Sequence, residues 1–127
     1  DFTDPAGMAL LRDLAAQADI VIENFKVGGL KKYGLDWESL KAVKPSLVYC
    51  SVTGFGQTGP YAARGGYDFV AQGMGGFMAI TGEEGGQPLR AGVAMADVTT
   101  GLYATISILA ALRHAERTGE GQHIDIS

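Results

Sequence analysis

Apolar residues near the start of the chain recur at helical spacing. Residues 6–17 are predicted to form a helix, and its apolar positions fall on one face: Met8, Leu11, Leu14 and Ala15. Asp4 and Pro5 precede this pattern and are typical of the N-cap and the first turn of a helix. The pattern therefore predicts an amphipathic helix at the start of the sequence.

Two short apolar runs follow, and each is typical of a buried strand. The first is "DIVIENF", which is predicted to end as a strand at Glu23 and Asn24, and the second is "SLVYCSV". Between them the sequence predicts a short helix that stops at Gly34 and another that begins at Asp36 and ends before Pro45. The order helix, strand, helix, strand favours a parallel sheet with crossover helices.

The amino-acid composition changes between Gly54 and Gly92, where most of the 19 glycines of the chain lie. We predict a long irregular stretch there, built around one helical piece at residues 67–80. Stretches of this length inside a compact domain are usually functional or covered by a partner. The glycines themselves are compatible with a mobile loop, or with backbone that turns sharply or approaches a ligand closely. They do not match a phosphate-binding fingerprint.

A second helical pattern runs to about Thr118 and is followed by a turn and an alternating strand, "QHIDIS". We expect one face of this helix to pack on the core, and its apolar residues are Val98, Leu102, Ile106, Leu109 and Leu112. With the strands before it, this pattern completes an α/β arrangement.

Asp97 stands at the predicted beginning of this last helix. Asp is a preferred N-cap residue, so one interpretation is purely structural. The other is a nucleophile or base aimed into a cavity, because the helix dipole favours negative charge at this end and Gly92, Ala94 and Ala96 leave room for a ligand. The spacing of residues alone leaves both interpretations open.

The composition limits the possible functions. The chain has 127 residues, enough for one small domain, with 46% hydrophobic and 19% charged residues. The formal net charge of -4, with both signs interspersed, argues against a nucleic-acid partner. The apolar runs are far short of a membrane span and no signal segment opens the sequence, so no membrane partner is expected.

Cysteine and histidine are scarce. The lone Cys50 excludes an internal disulfide and favours a cytoplasmic location. His114 and His123 are the only histidines and no Cys/His cluster accompanies them, so no metal site is expected. We expect His114 on a solvated helix face and His123 in a structural role.

Three long segments in register give the sequence a resemblance to a known family. They are "ADIVIENFKVGGLKKYGLDWESLKAVKPSLVYCSVTGFGQTGPY", "GGYDFVAQGMGGFMAITG" and "GVAMADVTTGLYATISILAALRHAERTGEGQHIDIS". The chain resembles the family III CoA-transferases, the group that includes formyl-CoA transferase, carnitine CoA-transferase and the α-methylacyl-CoA racemases. The resemblance implies a Rossmann-like parallel sheet with flanking helices, as a partial domain of an interlocked-dimer enzyme, with residues 1–127 forming part of the large, CoA-binding domain.

The resemblance also implies a chemistry. Asp97 would be the catalytic carboxylate, which attacks an acyl-CoA thioester and passes CoA to a carboxylic acid acceptor through anhydride and thioester intermediates. Asn24 and Phe25 match family positions that line the CoA pocket, and Lys32 matches a basic position, often arginine, that contacts a CoA phosphate. Coenzyme A, as part of the acyl-CoA substrate, and a second copy of the chain are therefore the expected partners.

Two departures from the family pattern are informative. Tyr67 occupies the position where racemases carry a histidine, and a tyrosine hydroxyl is too weak an acid to serve as the second acid/base, so transferase is favoured over racemase. The residues of these motifs most resemble those of transferases acting on dicarboxylates such as succinyl-CoA. The family's N-terminal segment and smaller C-terminal domain are missing from this sequence, so a non-catalytic domain that binds CoA or self-associates stays an alternative.

Overall fold

The computed structural model describes residue 1 and residues 3–127, and its regular elements follow the predicted order. The elements are α1 (Pro5–Gln17), β1 (Ile20–Glu23), α2 (Trp37–Val43), β2 (Val48–Val52), α3 (Asp68–Met74), α4 (Met95–Thr118) and β3 (His123–Ile126), with 3-10 helices at Lys31–Tyr33 and Phe77–Ile80.

The three strands form one parallel sheet in the order β1-β2-β3. The register pairs Ile20 with Val48 on one side of β2 and Tyr49 with His123 on the other. Helices cover both faces of the sheet, with α1 and α2 on one face and α4 on the other. The predicted α/β class, with a parallel sheet and flanking helices, is confirmed.

Successive residues of β2 point to opposite faces and thereby belong to two separate cores. Val48 and Cys50 face α4, and both are fully buried. Tyr49, and Leu47 immediately before the strand, face the side of α1 and α2, where they pack with Leu40 among others. β2 is therefore buried on both faces, as its continuous apolar run predicts.

Local start and stop signals are placed as predicted. Asp4 caps α1, since its carboxylate accepts a hydrogen bond from the Gly7 N–H at 3.0 Å, and Pro5 occupies the first turn. Gly34 ends the first 3-10 helix with a φ of 65°, a left-handed conformation that favours glycine. These signals act over a few residues, which makes them visible in sequence.

The predicted core face of α4 is wrong. Val98, Leu102, Ile106 and Leu109 are all more than half exposed. A second stripe, in which three of the four residues are alanine, packs on the sheet instead: Ala104, Ile108, Ala111 and Ala115. Small residues let the helix approach the sheet closely, whereas the pattern of bulky residues marks the face that points away from it. Leu112 lies between the stripes and packs partly against the core.

By length and composition α4 could cross a membrane, since it has 24 residues and an 18-residue window with a mean hydropathy of 1.4. The expectation that no segment approaches a membrane span counted only uninterrupted apolar runs, and α4 reaches this value with polar residues interspersed. Helices that pack inside proteins meet the same criterion, so the property is weak support for a membrane segment. The bulky residues of α4 that point away from the sheet form a long, exposed apolar face.

Three smaller expectations also need correction. The helical piece at residues 67–80 is broken, because the chain leaves α3 at Gly75 and Gly76 adopts a φ of 80° before the 3-10 helix begins. β1 is less buried than its apolar run suggests, since Ile22 is 61% exposed on a strand that, within the described part of the chain, pairs with β2 alone. Leu14 of α1 is likewise exposed.

Candidate active site

A cleft of about 660 Å³ opens where β1 and β2 end. Asn24 and Phe25 follow β1, and Thr53 and Gly54 follow β2, so all four lie at the carboxyl edge of the sheet and line the cleft. The first turn of α4 contributes Asp97 to the same cleft. Ligands of open α/β sheets bind outside the carboxyl ends of the strands, which makes this cleft the candidate site.

Asp97 is the third residue of α4 and does not cap it, so the interpretation of Asp97 as an N-cap is wrong. The N-cap position is Ala94, whose side chain cannot accept a hydrogen bond. The carboxylate that caps the helix comes from α3, because Asp68 Oδ1 accepts hydrogen bonds from the N–H groups of Ala96, at 2.8 Å, and Asp97, at 3.2 Å. A cap supplied from 28 and 29 residues away leaves no local signal in the sequence.

The Asp97 carboxylate is open to the cleft. Its side chain is exposed, and within the part of the chain that the structure describes nothing donates a hydrogen bond to its oxygens. It lies in the first turn of a helix of 24 residues, where the helix dipole favours negative charge. The neighbouring Ala96 and Gly101 are small and also line the cleft, so a ligand can approach the carboxylate.

The structure brings three of the four predicted site residues together. Asn24, Phe25 and Asp97 all line the cleft, and the Phe25 backbone N–H donates to Glu23 Oε2 at 2.7 Å. Lys32 lies outside the cleft, on the first 3-10 helix, with its Nζ 4.7 Å from the centroid of the Tyr33 ring.

Sequence reasoning missed three charged residues that line the cleft: Lys26, Arg64 and Asp68. Arg64 places its guanidinium 4.1 Å from the centroid of the Tyr61 ring, and no ion pair of Arg64 is found among the described residues. Asp68 caps α4 as described above. The spacing of Asp68 and Gln72, four residues apart on a short helix, is the one signal that could have drawn attention to this pair.

Close contacts constrain the backbone of the glycine-rich stretch at two places. Gly54 and Gly66 approach each other so closely that neither position has room for a Cβ atom. Gly56 has a φ of 79°, and the next residue, Gln57, donates its backbone N–H to Asp125 Oδ2 at 2.8 Å. These contacts favour the interpretation that the glycines permit sharp turns and close backbone approach at the edge of the cleft.

Cys50 and the histidines lie away from this chemistry. Burial raises the pKa of the Cys50 thiol, with Glu23 and Asp125 adding to the effect, so the reactive thiolate is disfavoured. His123 is within 2.9 Å of the Ser51 hydroxyl and stacks on Trp37, and His114 is exposed on α4. Among the described residues, no group of three or more His, Cys, Asp or Glu side chains could hold a metal ion.

Comparisons with known proteins give this geometry a context. The chain is 62% identical over 127 residues to the succinate–glutarate CoA-transferase of Agrobacterium fabrum, covering 100% of this chain and 32% of that protein. It is 48% identical over 122 residues to the human succinyl-CoA:glutarate CoA-transferase, covering 96% of this chain and 28% of that protein. The chain thus spans about a third of the length of these relatives.

A solved structure matches the fold. The crystal structure of a CaiB/BaiF family protein from Brucella suis superposes with a TM-score of 0.97 at 61% sequence identity, and it covers 100% of this chain and 34% of the other. The sequence model of CoA-transferase family III matches residues 1–127. The chain therefore belongs to the family III CoA-transferases.

Proposed function

We propose that the protein transfers CoA from an acyl-CoA thioester to a carboxylic acid acceptor, with Asp97 as the nucleophile. The observation that carries the proposal is the exposed Asp97 carboxylate, which opens into a cleft at the carboxyl edge of the sheet and accepts no hydrogen bond from the described residues. A carboxylate that is neither paired nor used as a cap keeps its lone pairs available for attack.

The proposed reaction exchanges acyl groups on this carboxylate. An Asp97 oxygen attacks the thioester carbonyl, the C–S bond breaks, and the products are a mixed anhydride and free CoA thiolate. The thiolate then attacks the Asp97 carbonyl carbon, which gives an aspartyl-CoA thioester and releases the donor acid. The acceptor carboxylate reverses these two steps and leaves as its own CoA thioester. Covalent catalysis of this kind divides one difficult exchange into easier steps.

Asn24, Phe25 and Lys32 are proposed to bind CoA. Asn24 offers an amide to polar groups of the ligand, and the Phe25 ring is 44% exposed, which leaves its face available for contact. CoA is a long molecule with its phosphates far from the thioester, so the position of Lys32 outside the cleft suits a phosphate contact better than an acyl contact. Lysine would act there as a point charge.

The acyl groups are proposed to be dicarboxylic. The relatives named above are named for succinate and glutarate, both dicarboxylates. The cleft offers two cationic side chains, Lys26 and Arg64, of the type that pairs with a second carboxylate. A racemase would need a second acid/base close to Asp97, and Tyr67 in the same cleft suits this role poorly.

A homodimer in the cytoplasm is the proposed form of the complete protein, and residues 1–127 are proposed to be part of its large domain. The exposed apolar face of α4 and the exposed Ile22 of β1 support the dimer, because exposed apolar surface marks a place where protein packs on protein. These surfaces equally suit the alternative of a non-catalytic chain that self-associates.

The test is the intact mass of the chain after incubation with succinyl-CoA, compared with that of Asp97→Asn and of a control, Asp13→Asn, whose carboxylate is exposed on α1. We expect an adduct on both the unmodified chain and the control, and hydroxylamine should remove it. We expect no adduct on Asp97→Asn. An adduct that persists in Asp97→Asn would contradict the proposed role of Asp97. Exchange of the α-proton in heavy water without CoA transfer would favour a racemase instead.

A further inference from the structure

Asp68 uses both oxygens of its carboxylate to tie α3 to the beginning of α4. Oδ1 accepts the N–H groups of Ala96 and Asp97, and Oδ2 accepts the side-chain amide of Gln72 at 2.6 Å. Asp68 is itself half-buried in the wall of the cleft. Its carboxylate therefore connects a helix of the glycine-rich wall to the backbone of the proposed nucleophile.

Gln72 extends this connection to the irregular segment that leads into α4. Its side chain is only 2% exposed, and its Oε1 accepts the Ala91 N–H at 2.9 Å, while its Nε2 also lies 3.5 Å from the Val93 carbonyl oxygen. Two side chains of α3 thus hold the segment 91–97 at four of its residues. A connected network of this kind fixes the direction in which the chain enters α4.

From these contacts we infer that Asp68 is a positioning residue for Asp97, and that it acts through the backbone at the start of α4. The inference rests on the proposed function, because it concerns the geometry of the nucleophile named there. Asp68 does not exchange acyl groups or protons in this account.

The physical reason lies in the unpaired donors at the start of a helix. The first N–H groups of α4 have no partner within the helix, and Ala94 offers no side-chain acceptor. By accepting the N–H groups of Ala96 and Asp97, the Asp68 carboxylate takes the place of the missing N-cap side chain and holds the first turn of α4. The backbone from which the Asp97 side chain projects into the cleft is thereby held in one position.

The test compares Asp68→Asn with Asp68→Asn/Gln72→Glu, and both variants are made in the full-length protein. In Asp68→Asn the side chain keeps a single acceptor oxygen, so either the contact with the Gln72 amide is lost or the amide rotates and presents a donor to the N–H groups of Ala96 and Asp97. In the double variant, the carboxylate introduced at position 72 accepts from both the amide introduced at position 68 and the Ala91 N–H, which restores these contacts and gives up only the long one to the Val93 carbonyl oxygen. Asp13→Asn, which removes an exposed carboxylate on α1, serves as the matched control.

We expect kcat for CoA transfer from succinyl-CoA to glutarate to fall about tenfold to a hundredfold in Asp68→Asn, because misplacement of a reacting group carries a cost of this size. We expect KM for succinyl-CoA to change by less than about threefold, since the residues that bind CoA are untouched. The double variant should recover most of the lost kcat. Amide hydrogen exchange at Ala96 and Asp97 should be faster in Asp68→Ala, which removes the acceptor altogether.

Two results would overturn the inference. One is a kcat in folded Asp68→Asn equal to that of the control. The other is a folded double variant that remains as slow as Asp68→Asn. Asp97→Asn, measured in parallel, separates the two proposals. If it abolishes transfer while Asp68→Asn is fully active, only the positioning role fails. If it leaves transfer intact, the proposed nucleophile fails whatever the Asp68 variants do.

Discussion

β2 and the glycine-rich segment at residues 54–92 both lead to the cleft, yet different interactions hold them. β2 has a strand on each side, and its first four residues are buried between two layers of helices. The glycine-rich segment has few buried side chains, and polar contacts hold it: Asp68 accepts backbone N–H groups at the start of α4, and Gln72 accepts the Ala91 N–H. Apolar packing thus fixes one wall of the site, and a few hydrogen bonds fix the other.

The difference suggests that the two regions have different roles, one in stability and the other in chemistry. Close packing around β2 resists movement, so the residues after the strands stay at one place on the sheet edge. A wall held by a few side-chain hydrogen bonds can carry reactive and binding groups with little core of its own. Substitutions in the first region should therefore act on stability, and substitutions in the second should act on chemistry.

The largest stability effect that sharpens this contrast is expected for Leu47→Ala. Leu47 is 0% exposed, and truncating a buried leucine costs about 2–5 kcal/mol through lost burial and the cavity left behind. The matched control is Leu89→Ala in the glycine-rich segment, where the leucine is 52% exposed and the cost should be below about 1 kcal/mol. Urea unfolding of both variants measures the difference. Equal losses would contradict the distinction between the two regions.

A smaller effect should separate the two faces of α4. Ala111 is 3% exposed against the sheet, so Ala111→Leu should overpack the core and cost about 1–3 kcal/mol. Leu109→Ala on the outer face, where the leucine is 61% exposed, should cost under about 1 kcal/mol within the chain but weaken self-association. Thermal unfolding and sedimentation measure the two properties. A Leu109→Ala chain that associates like the unmodified one would remove the support that this face gives to a dimer.

The smallest effect is expected at Tyr49, which donates a hydrogen bond from its buried hydroxyl to the Leu35 carbonyl oxygen at 2.9 Å. Tyr49→Phe removes that bond and should cost about 1 kcal/mol at neutral pH. Burial, and to a lesser extent Glu23 and Asp36, raises the pKa of the Tyr49 hydroxyl above its ordinary value. The unfolded chain therefore ionises first.

It follows that the contribution of Tyr49 to stability is complete below about pH 10 and is lost as the pH rises above that value. The free energy of unfolding of Tyr49→Phe should fall less steeply with pH in this range than that of the unmodified chain. Parallel slopes in urea unfolding at alkaline pH would show that Tyr49 is not the group responsible.

Features that depend on near neighbours in the sequence were predictable. Asp4, Pro5 and Gly34 mark helix ends through contacts within a few residues, and the apolar run around Cys50 predicts a strand buried on both faces. The parallel order follows from the alternation of helices and strands. Asn24 and Asp97 were expected at the site from the family resemblance, and the structure places both in one cleft.

Features that depend on distant partners were not. α4 carries two apolar stripes, and the pattern of residues cannot tell which one meets the sheet, since this depends on how closely the helix must approach β2. The cap of α4 comes from Asp68 in another helix, so the sequence around Asp97 could not decide between the two interpretations of that residue. The break at Gly75 and Gly76 in the predicted helical piece was likewise missed, although glycine is a known weak point of helices.

The central claim is that Asp97 exchanges acyl groups through its own carboxylate, and labelled acceptor tests it most directly. If glutarate carries heavy oxygen in its carboxylates, each turnover should leave one labelled oxygen on Asp97, because the acceptor attacks the aspartyl carbonyl and the anhydride then opens on the acceptor side. Peptide mass analysis after turnover with succinyl-CoA should find the label on Asp97 alone. Turnover that leaves Asp97 unlabelled would contradict the account.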